Sequence, residues 1–440
     1  MHARSDPRHW DSRGGPLTPH PTCPAQEAPS RPGRCAEAFR SSGLDGKRAD
    51  ICSRRESGQF RLGRSSLNHL RSDQATQHCR VDEALTSEGP AGQSRHCDFW
   101  IGEYRYVATK NWPFGDPLPA RMIEMLVCPR DKGALWQEAD DLLCERGHRY
   151  AVIEGIPILL VSETKQTHIE GTRALSLAES KDVSSLPQFR VAPDEIDPFV
   201  KNVIAATNGS LYLHLVGNLK EYPIPRLRLP AGNNKLFLEV GCNWGRWCLA
   251  AAASGYRAVG IDPSLKAIRA ANRVARQMGV EATYVVGDSR CLPFSDEFFD
   301  QVFSYSVLQH LSKPDARVSL TEIRRVLRTG GGALVQMANA FGMRCLYHQA
   351  RRSFREGIDF DVRYWKPADL ILAFTECIGP SELSADGYFS LNVQASDLRF
   401  LPAKYRALVN VSEGLRKLSD HIPLFVKLAD SLYVSSRRAE

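Results

Sequence analysis

The sequence predicts an α/β fold built on an open, mostly parallel sheet, and three stretches between residues 236 and 294 predict it. Leu236-Phe-Leu-Glu-Val240 is a short apolar run that breaks into Gly241-Cys-Asn-Trp-Gly245, as a buried central strand does when it turns through glycines into a helix. Gly260-Ile-Asp262 ends a second run in an acid, and Val286-Gly-Asp288 ends a third, followed by Leu292-Pro-Phe294. Three strand ends that each deliver a glycine or a carboxylate outline the crevice at the carboxyl edge of a parallel sheet, where nucleoside-bearing ligands bind.

The elements follow in order. After strand one, helix 246–254 presents free N–H groups to a ligand's carboxylate. Gly241 and Gly245 let the backbone approach the ligand, and Glu239 is placed to organise its charged end. Strand two (258–261) ends in Asp262, whose carboxylate can accept both hydroxyls of a ribose. Asp288 is read as a ligand to an adenine rather than as a turn cap, because Leu-Pro-Phe follows it. Phe299-Asp-Gln-Val-Phe-Ser-Tyr-Ser-Val-Leu-Gln-His310 reads as a fourth strand running into a loop. A helix carrying Glu322, Arg325 and Val326 leads to Gly330-Gly-Gly332 and a fifth strand at 333–337. Helices at 341–356, 367–376 and about 403–419 come next, with sixth and seventh strands expected at 388–393 and 431–435. A dinucleotide site also carries an acid about 20 residues beyond its glycines, and Asp262 lies 21 residues after Gly241. Asn243 in place of a middle glycine, the second acid Asp288 and the ordered fourth and fifth strands argue against that site.

Taken in order, these pieces resemble the class I S-adenosylmethionine-dependent methyltransferases over residues 235–340. The resemblance implies a Rossmann-like seven-stranded sheet over 196–440 and S-adenosyl-L-methionine as cofactor. It implies cofactor contacts from Gly241, Gly245, Asp262 and Asp288, with Ser289 or Arg290 beside the adenine and Ser304 or Tyr305 beside the methionine moiety. Methyl transfer from a sulfonium is an in-line displacement, and holding the reactants in line supplies much of the acceleration. A base is needed only for a protonated acceptor, and His310, just after strand four, is the candidate. Tyr212, Asp315, Arg363, Tyr364 and Trp365 are candidates for the acceptor pocket, and ordinary packing accounts for the aromatic ones equally well. Trp244 and Trp247 are candidate pocket walls, with Arg246 available to an acidic group.

Residues 122–160 carry a second resemblance. Met122-Ile-Glu-Met-Leu-Val-Cys-Pro-Arg-Asp131, Leu143-Cys-Glu-Arg-Gly-His148 and Gly155-Ile-Pro157 resemble the zinc-ribbon-like family that activates tRNA and protein methyltransferases as a partner subunit. That family's pattern has four cysteines, and here Asp131 and Gly147 stand at the second and fourth. Cys128, Asp131, Cys144 and His148 offer a mixed donor set with shifted spacing. The expectation is a metal-free remnant held by Leu126, Leu135, Tyr150 and Ile156.

Residues 1–115 read differently. The first 100 residues hold 14 Arg, one Lys and six of the chain's 12 His, with no sustained apolar period. Such a segment is expected to be disordered, or to be an extension from a start misassigned upstream of Met122. Residues 161–195 are polar and carry two weak helical stretches, and they read as a linker. No run reaches the ~18–20 apolar residues of a membrane span, a net charge of +7 over 440 residues neither requires nor excludes nucleic acid, and the scattered cysteines suit reduced thiols in the cytosol. The functional expectation is O- or N-methylation of a small-molecule or glycan-precursor acceptor. An RNA base methyltransferase is the alternative suggested by residues 122–160, which are expected to form a small β-rich knuckle, although Ser304-Tyr-Ser-Val stands where an amino-group tetrapeptide would follow strand four. A non-catalytic scaffold is disfavoured by the intact Gly241, Asp262 and Asp288.

Overall fold

A computed structural model describes residues 118–189, 191–389 and 393–439, together with an antiparallel pair of strand segments, β1 (Asp98–Ile101) and β2 (Tyr104–Val107). Apart from that pair, the expectation for residues 1–115 lies outside the described residues.

The chain continues through α1 (Ala120–Met125) into a four-stranded antiparallel meander: β3 (Leu135–Glu138), β4 (Asp141–Cys144), β5 (Arg149–Ile153) and β6 (Ile156–Leu159). The β5–β6 hairpin turns on Glu154 and Gly155, both at positive φ (52° and 73°), the conformation a two-residue hairpin loop demands. Helices α2 (Ile169–Ser180) and α3 (Pro198–Asn208) follow. Helical structure in the stretch read as a linker takes the form of the 12-residue α2, which packs on β5, β6 and α5 (Leu265–Gln277).

The doubly wound part runs β7 (Leu236–Val240), α4 (Arg246–Ala253), β8 (Arg257–Asp262), α5, β9 (Ala282–Gly287), β10 (Phe299–Tyr305), α6 (Lys313–Val326) and β11 (Leu327–Ala338). Beyond it lie α7 (Met343–Arg351), α8 (Pro367–Cys377), β12 (Ser381–Gly387), α9 (Ala403–Ser419), α10 (Pro423–Leu428) and β13 (Ser431–Arg437). Every residue of β7 is buried, as a parallel strand covered on both faces requires. Alternate side chains divide the core. Phe237, Phe303 and Leu334 pack with α3, α4 and α5, whereas Leu238, Val302 and Val335 pack with α6 and α8. Ser264 caps α5 by accepting from Ala267 N–H, and Ser312 caps α6 ahead of Pro314.

The sheet order is β12-β13-β11-β10-β7-β8-β9-β6-β5-β4-β3. Seven of these strands form the expected class I sheet, with β13 antiparallel between β12 and β11. The sheet is larger than expected, because β6 pairs parallel with β9 (Ile158 opposite Val286, Leu159 opposite Gly287) and the meander extends it to eleven strands. Leu126, Leu135 and Tyr150 accordingly share one apolar cluster with Leu292, Phe294 and the central strands, and do not close a core of their own. The sixth strand also departs from expectation: it is Ser381–Gly387, not 388–393. Its outer residues are polar and only its last turn is buried, so the apolar run that marks a strand is missing. Tyr388 leaves the sheet to donate to the Phe425 carbonyl (2.8 Å). Among the described residues, no helix is long and apolar enough to cross a membrane.

Candidate cofactor and acceptor site

The turn after β7 holds three consecutive odd-numbered residues in the left-handed region: Gly241 (φ 79°), Asn243 (φ 46°) and Gly245 (φ 80°). A Cβ at Gly241 would run into the Val307 side chain, and one at Gly245 into the Tyr284 ring. The turn therefore packs against neighbours that only glycine tolerates. Glu239 lies beneath it, where its Oε2 accepts from Cys248 N–H (2.7 Å) and fixes the first turn of α4. Burial pushes this carboxyl up to about 8, against the opposing pull of the Cys248 hydrogen bond.

Asp262 closes β8. Its Oδ2 accepts from Asn243 N–H (3.0 Å) and its Oδ1 from Ser264 N–H (2.9 Å), so it ties the glycine turn to the cap of α5. Burial raises its pKa, and the two backbone donors oppose the rise. Each oxygen keeps a further lone pair. Asp288 is a turn cap in this structure: Oδ1 accepts from Arg290 N–H (2.9 Å), and the Arg290 guanidinium spans both oxygens (3.0 and 2.7 Å). Ser289 Oγ bonds Ser319 Oγ on α6 (2.8 Å), and Ser304 Oγ donates to the Val240 carbonyl (2.9 Å) inside the sheet.

Over these strand ends lies a strap, residues 165–168, within the stretch expected to be a linker. Gln166 Nε2 donates to Asp288 Oδ2 (3.3 Å), and Arg290 donates to the Lys165 carbonyl (2.9 Å). Gln166, Thr167 and His168 line a cavity with Gly241, Pro263, Asp288, Ser289, Val307, His310 and Phe360. That cavity measures about 60 Å³, against roughly 300 Å³ or more for a pocket holding a drug-sized ligand. Admitting a nucleoside therefore requires the strap and Phe360 to swing away. A larger cavity of about 570 Å³ lies behind α5, away from the strand ends, and its Arg269 and Arg273 are already paired with Glu154 and Asp197.

His310 stacks on Phe360 (centroids 4.1 Å apart, planes 4° apart), and its Nδ1 lies 2.7 Å from the Phe360 carbonyl. A carbonyl only accepts, so Nδ1 carries the proton and Nε2 keeps a lone pair when the ring is neutral. Burial lowers the His310 pKa, which favours that neutral ring. Arg363 donates to the carbonyls of His310 (2.7 Å), Asp359 (3.1 Å) and Asp361 (3.1 Å), stapling the Phe360 loop to the histidine turn. Trp365 is a buried anchor bridged to Asn339, and Tyr364 is half-buried under the Arg352 guanidinium. Asp315 lies 3.5 Å from Arg290.

On the opposite sheet face, Trp244 and Trp247 belong to the core, with Trp247 against Phe303 and Tyr305. Arg246 is buried and pairs with Asp397 (2.5 Å). Tyr212 is buried beside this pair, and burial together with the neighbouring Asp397 pushes its hydroxyl pKa up. Next to them Tyr305 donates to Asp386 (2.8 Å) and accepts from Gln394 (2.8 Å). Asp386, Gln394 and Asp397 were not anticipated, and nothing local in the sequence ties them to Tyr305.

In residues 122–160, Cys128, Asp131, Cys144 and His148 bring one donor atom each within 4.8 Å of the others. None of the seven described cysteines forms a disulfide.

The elements fit an S-adenosylmethionine site: Gly241 and the ends of β8 and β9 line one cavity, and the Asp262 carboxylate ties the glycine turn to the start of α5. Comparison with known proteins gives a family match described as Methyltransferase domain over residues 237–331. An uncharacterized methyltransferase of Synechocystis sp. is 29% identical over 129 residues, which are 29% of this chain and 59% of that protein. A ubiquinone biosynthesis O-methyltransferase of Agrobacterium fabrum is 33% identical over 94 residues, 21% of this chain and 37% of that protein. Its Rhizobium etli namesake is 31% identical over 102 residues, 23% and 40%. The chain thus spans well under two thirds of the curated relatives it matches. Among solved structures, Haemonchus contortus phosphoethanolamine N-methyltransferase 2 in complex with S-adenosyl-L-methionine is 16% identical over 48% of this chain and 50% of that one, with a TM-score of 0.33. With the family match running from β7 into β11 and the strand order as described, the chain contains a class I, S-adenosylmethionine-dependent methyltransferase domain.

Proposed function

We propose that the chain methylates a small-molecule acceptor at oxygen or nitrogen, with Asp262 and the Gly241–Gly245 turn holding the cofactor and His310 serving as base. The observation that carries this reading is the convergence of three strand ends and His310 on one cavity. The O-methyltransferase names of the relatives favour an oxygen acceptor. S-adenosylmethionine, when bound, supplies an electrophilic methyl group on a sulfonium. The chain's own residues then do five things. Asp262 accepts the ribose hydroxyls, and the N-terminus of α4 receives the carboxylate. The strap and Phe360 close over the crevice and exclude water. His310 Nε2 accepts the proton of an acceptor hydroxyl while Nδ1–H stays on the Phe360 carbonyl. Arg363 positions this pair without touching the acceptor.

Calorimetry with S-adenosylhomocysteine tests the cofactor half. Asp262→Ala is expected to weaken binding by ~100-fold, near 2.7 kcal/mol, because a bidentate charged acceptor is lost. Unchanged affinity sinks the assignment, and no binding by the folded wild type leaves a scaffold. His310 is tested by pH dependence. A base must be neutral, and burial holds His310 below its ordinary value of 6.5. Activity should therefore be flat through neutrality and fall only below pH 6.5. His310→Gln should lower kcat by ~10²-fold or more and erase that acid limb. An acid limb that survives the substitution assigns the proton to another group.

A further inference from the structure

We propose that Cys128, Asp131, Cys144 and His148 hold one zinc ion, and that this ion braces the loop carrying Asp288 and Ser289. This reverses the metal-free expectation for the knuckle, and the donor atoms carry the reversal. His148 Nδ1 lies 3.3 Å from Cys128 Sγ, 3.3 Å from Cys144 Sγ and 3.1 Å from Asp131 Oδ2, and Cys144 Sγ lies 3.6 Å from Asp131 Oδ2. Tetrahedral zinc with ~2.0–2.3 Å bonds to these atoms sets its ligands about 3.3–3.8 Å apart, so the close pairs open slightly and the widest, within 4.8 Å, draw in around a central ion. Two thiol sulfurs and a carboxylate oxygen thus converge on one ring nitrogen, a compact set of metal-ligating donors. Two thiols, an imidazole and a carboxylate suit zinc and not the all-oxygen cages of calcium or magnesium.

The backbone explains why the spacing misleads. Lys132 N–H donates to the Cys128 carbonyl (2.8 Å) with Lys132 at φ 61°, and Gly147 N–H donates to the Cys144 carbonyl (2.8 Å) with Gly147 at φ 80°. The two turns face one another. The left-handed Gly147 carries the chain one residue further, so that His148 reaches the point a side chain at 147 would have served. Tyr150 Oη then lies 3.1 Å from Cys128 Sγ and accepts from Arg130 (3.2 Å), an outer hydrogen bond of the kind that orients metal ligands.

The same ligand loop grips the cofactor crevice. Val127 N–H donates to the Pro293 carbonyl (3.0 Å), and Lys132 Nζ donates to the Leu292 carbonyl (3.2 Å) and to Glu322 (2.8 Å). Arg130 also pairs with Glu163 (2.8 Å), at the foot of the strap. The bracing half of the proposal rests on the cofactor reading above.

The test uses the full chain. Metal analysis by mass spectrometry is expected to find one zinc per chain. Protein stripped by a chelator and given Co²⁺ alone should show thiolate-to-cobalt bands and the intense visible bands of a tetrahedral site. Cys144→Ser should lose both. Because that variant can fail to fold, Asp131→Cys is measured beside it, and a third thiolate should strengthen the charge-transfer bands and retain the ion. A folded wild type that takes up neither metal overturns the site. Stripping is further expected to weaken S-adenosylhomocysteine binding ~10-fold, with recovery on adding Zn²⁺ alone. Zinc bound with no such change overturns the bracing half. Zinc bound with no S-adenosylhomocysteine binding in either form overturns the cofactor reading instead.

Discussion

Replacing Gly241 by alanine is expected to weaken S-adenosylhomocysteine binding by the full chain by ~100-fold or more, near 2.7 kcal/mol. Two effects combine. At φ 79° an L-residue is strained by about 1–2 kcal/mol. The new methyl also collides with both Val307 methyls, and Val307 lines the cavity, so relief on one side narrows the crevice on the other. Gly330 is the internal control. Its φ is 74°, but a Cβ there meets nothing within 4 Å. Gly330→Ala should therefore show the backbone strain as a modest loss of stability and no change in affinity. Equal affinity losses in the two variants would mean that Gly241 acts through global stability and not through the crevice.

Asp397→Ala is expected to produce the largest loss of stability, about 3–5 kcal/mol, because it strands the buried Arg246 guanidinium. Arg246 is 5% exposed and Asp397 0%. The pair is short, and the remaining Arg246 Nε donates to the Pro223 carbonyl (2.8 Å), so the cation has no route to water. Against a typical total of ~5–15 kcal/mol such a loss threatens the fold itself. Urea denaturation measures it. The double substitution Arg246→Met with Asp397→Leu should recover most of the loss, since removing both charges removes the uncompensated one. A double variant as unstable as Asp397→Ala would show that shape, and not charge, holds this corner.

The parts of this molecule that were legible in the sequence are those whose logic is local. Leu236–Val240, the glycine turn and the helix after it sit in one window of residues, and the strand matches the expected bounds. The ends of β8 and β9 were equally readable, because each is an apolar run stopped by an acid. What escaped is held across long separations. Gln166 meets Asp288 over 122 residues, and Arg246 meets Asp397 over 151, and no periodic pattern in either segment announces its partner. Strand β12 escaped because an edge strand facing solvent need not be apolar. For Asp288 two roles compete at one position: the sequence context suggested an adenine ligand, while the carboxylate in place caps Arg290 and receives its guanidinium.

The pairing of β6 with β9 has a meaning for the molecule's company as well as for its shape. Without β6, the outer flank of Ala282–Gly287 would be a row of unpaired N–H and C=O groups on an apolar strand, a template on which another chain can add itself. The knuckle occupies that flank and hands the edge on to β3, a short strand whose Trp136 and Glu138 stand in solvent. It thereby moves the open border of the sheet from an apolar strand to a four-residue one bearing a charge. Since the two sides of the β6–β9 joint lie more than a hundred residues apart in sequence, a growing chain passes through a stage with the knuckle made and its seat still absent.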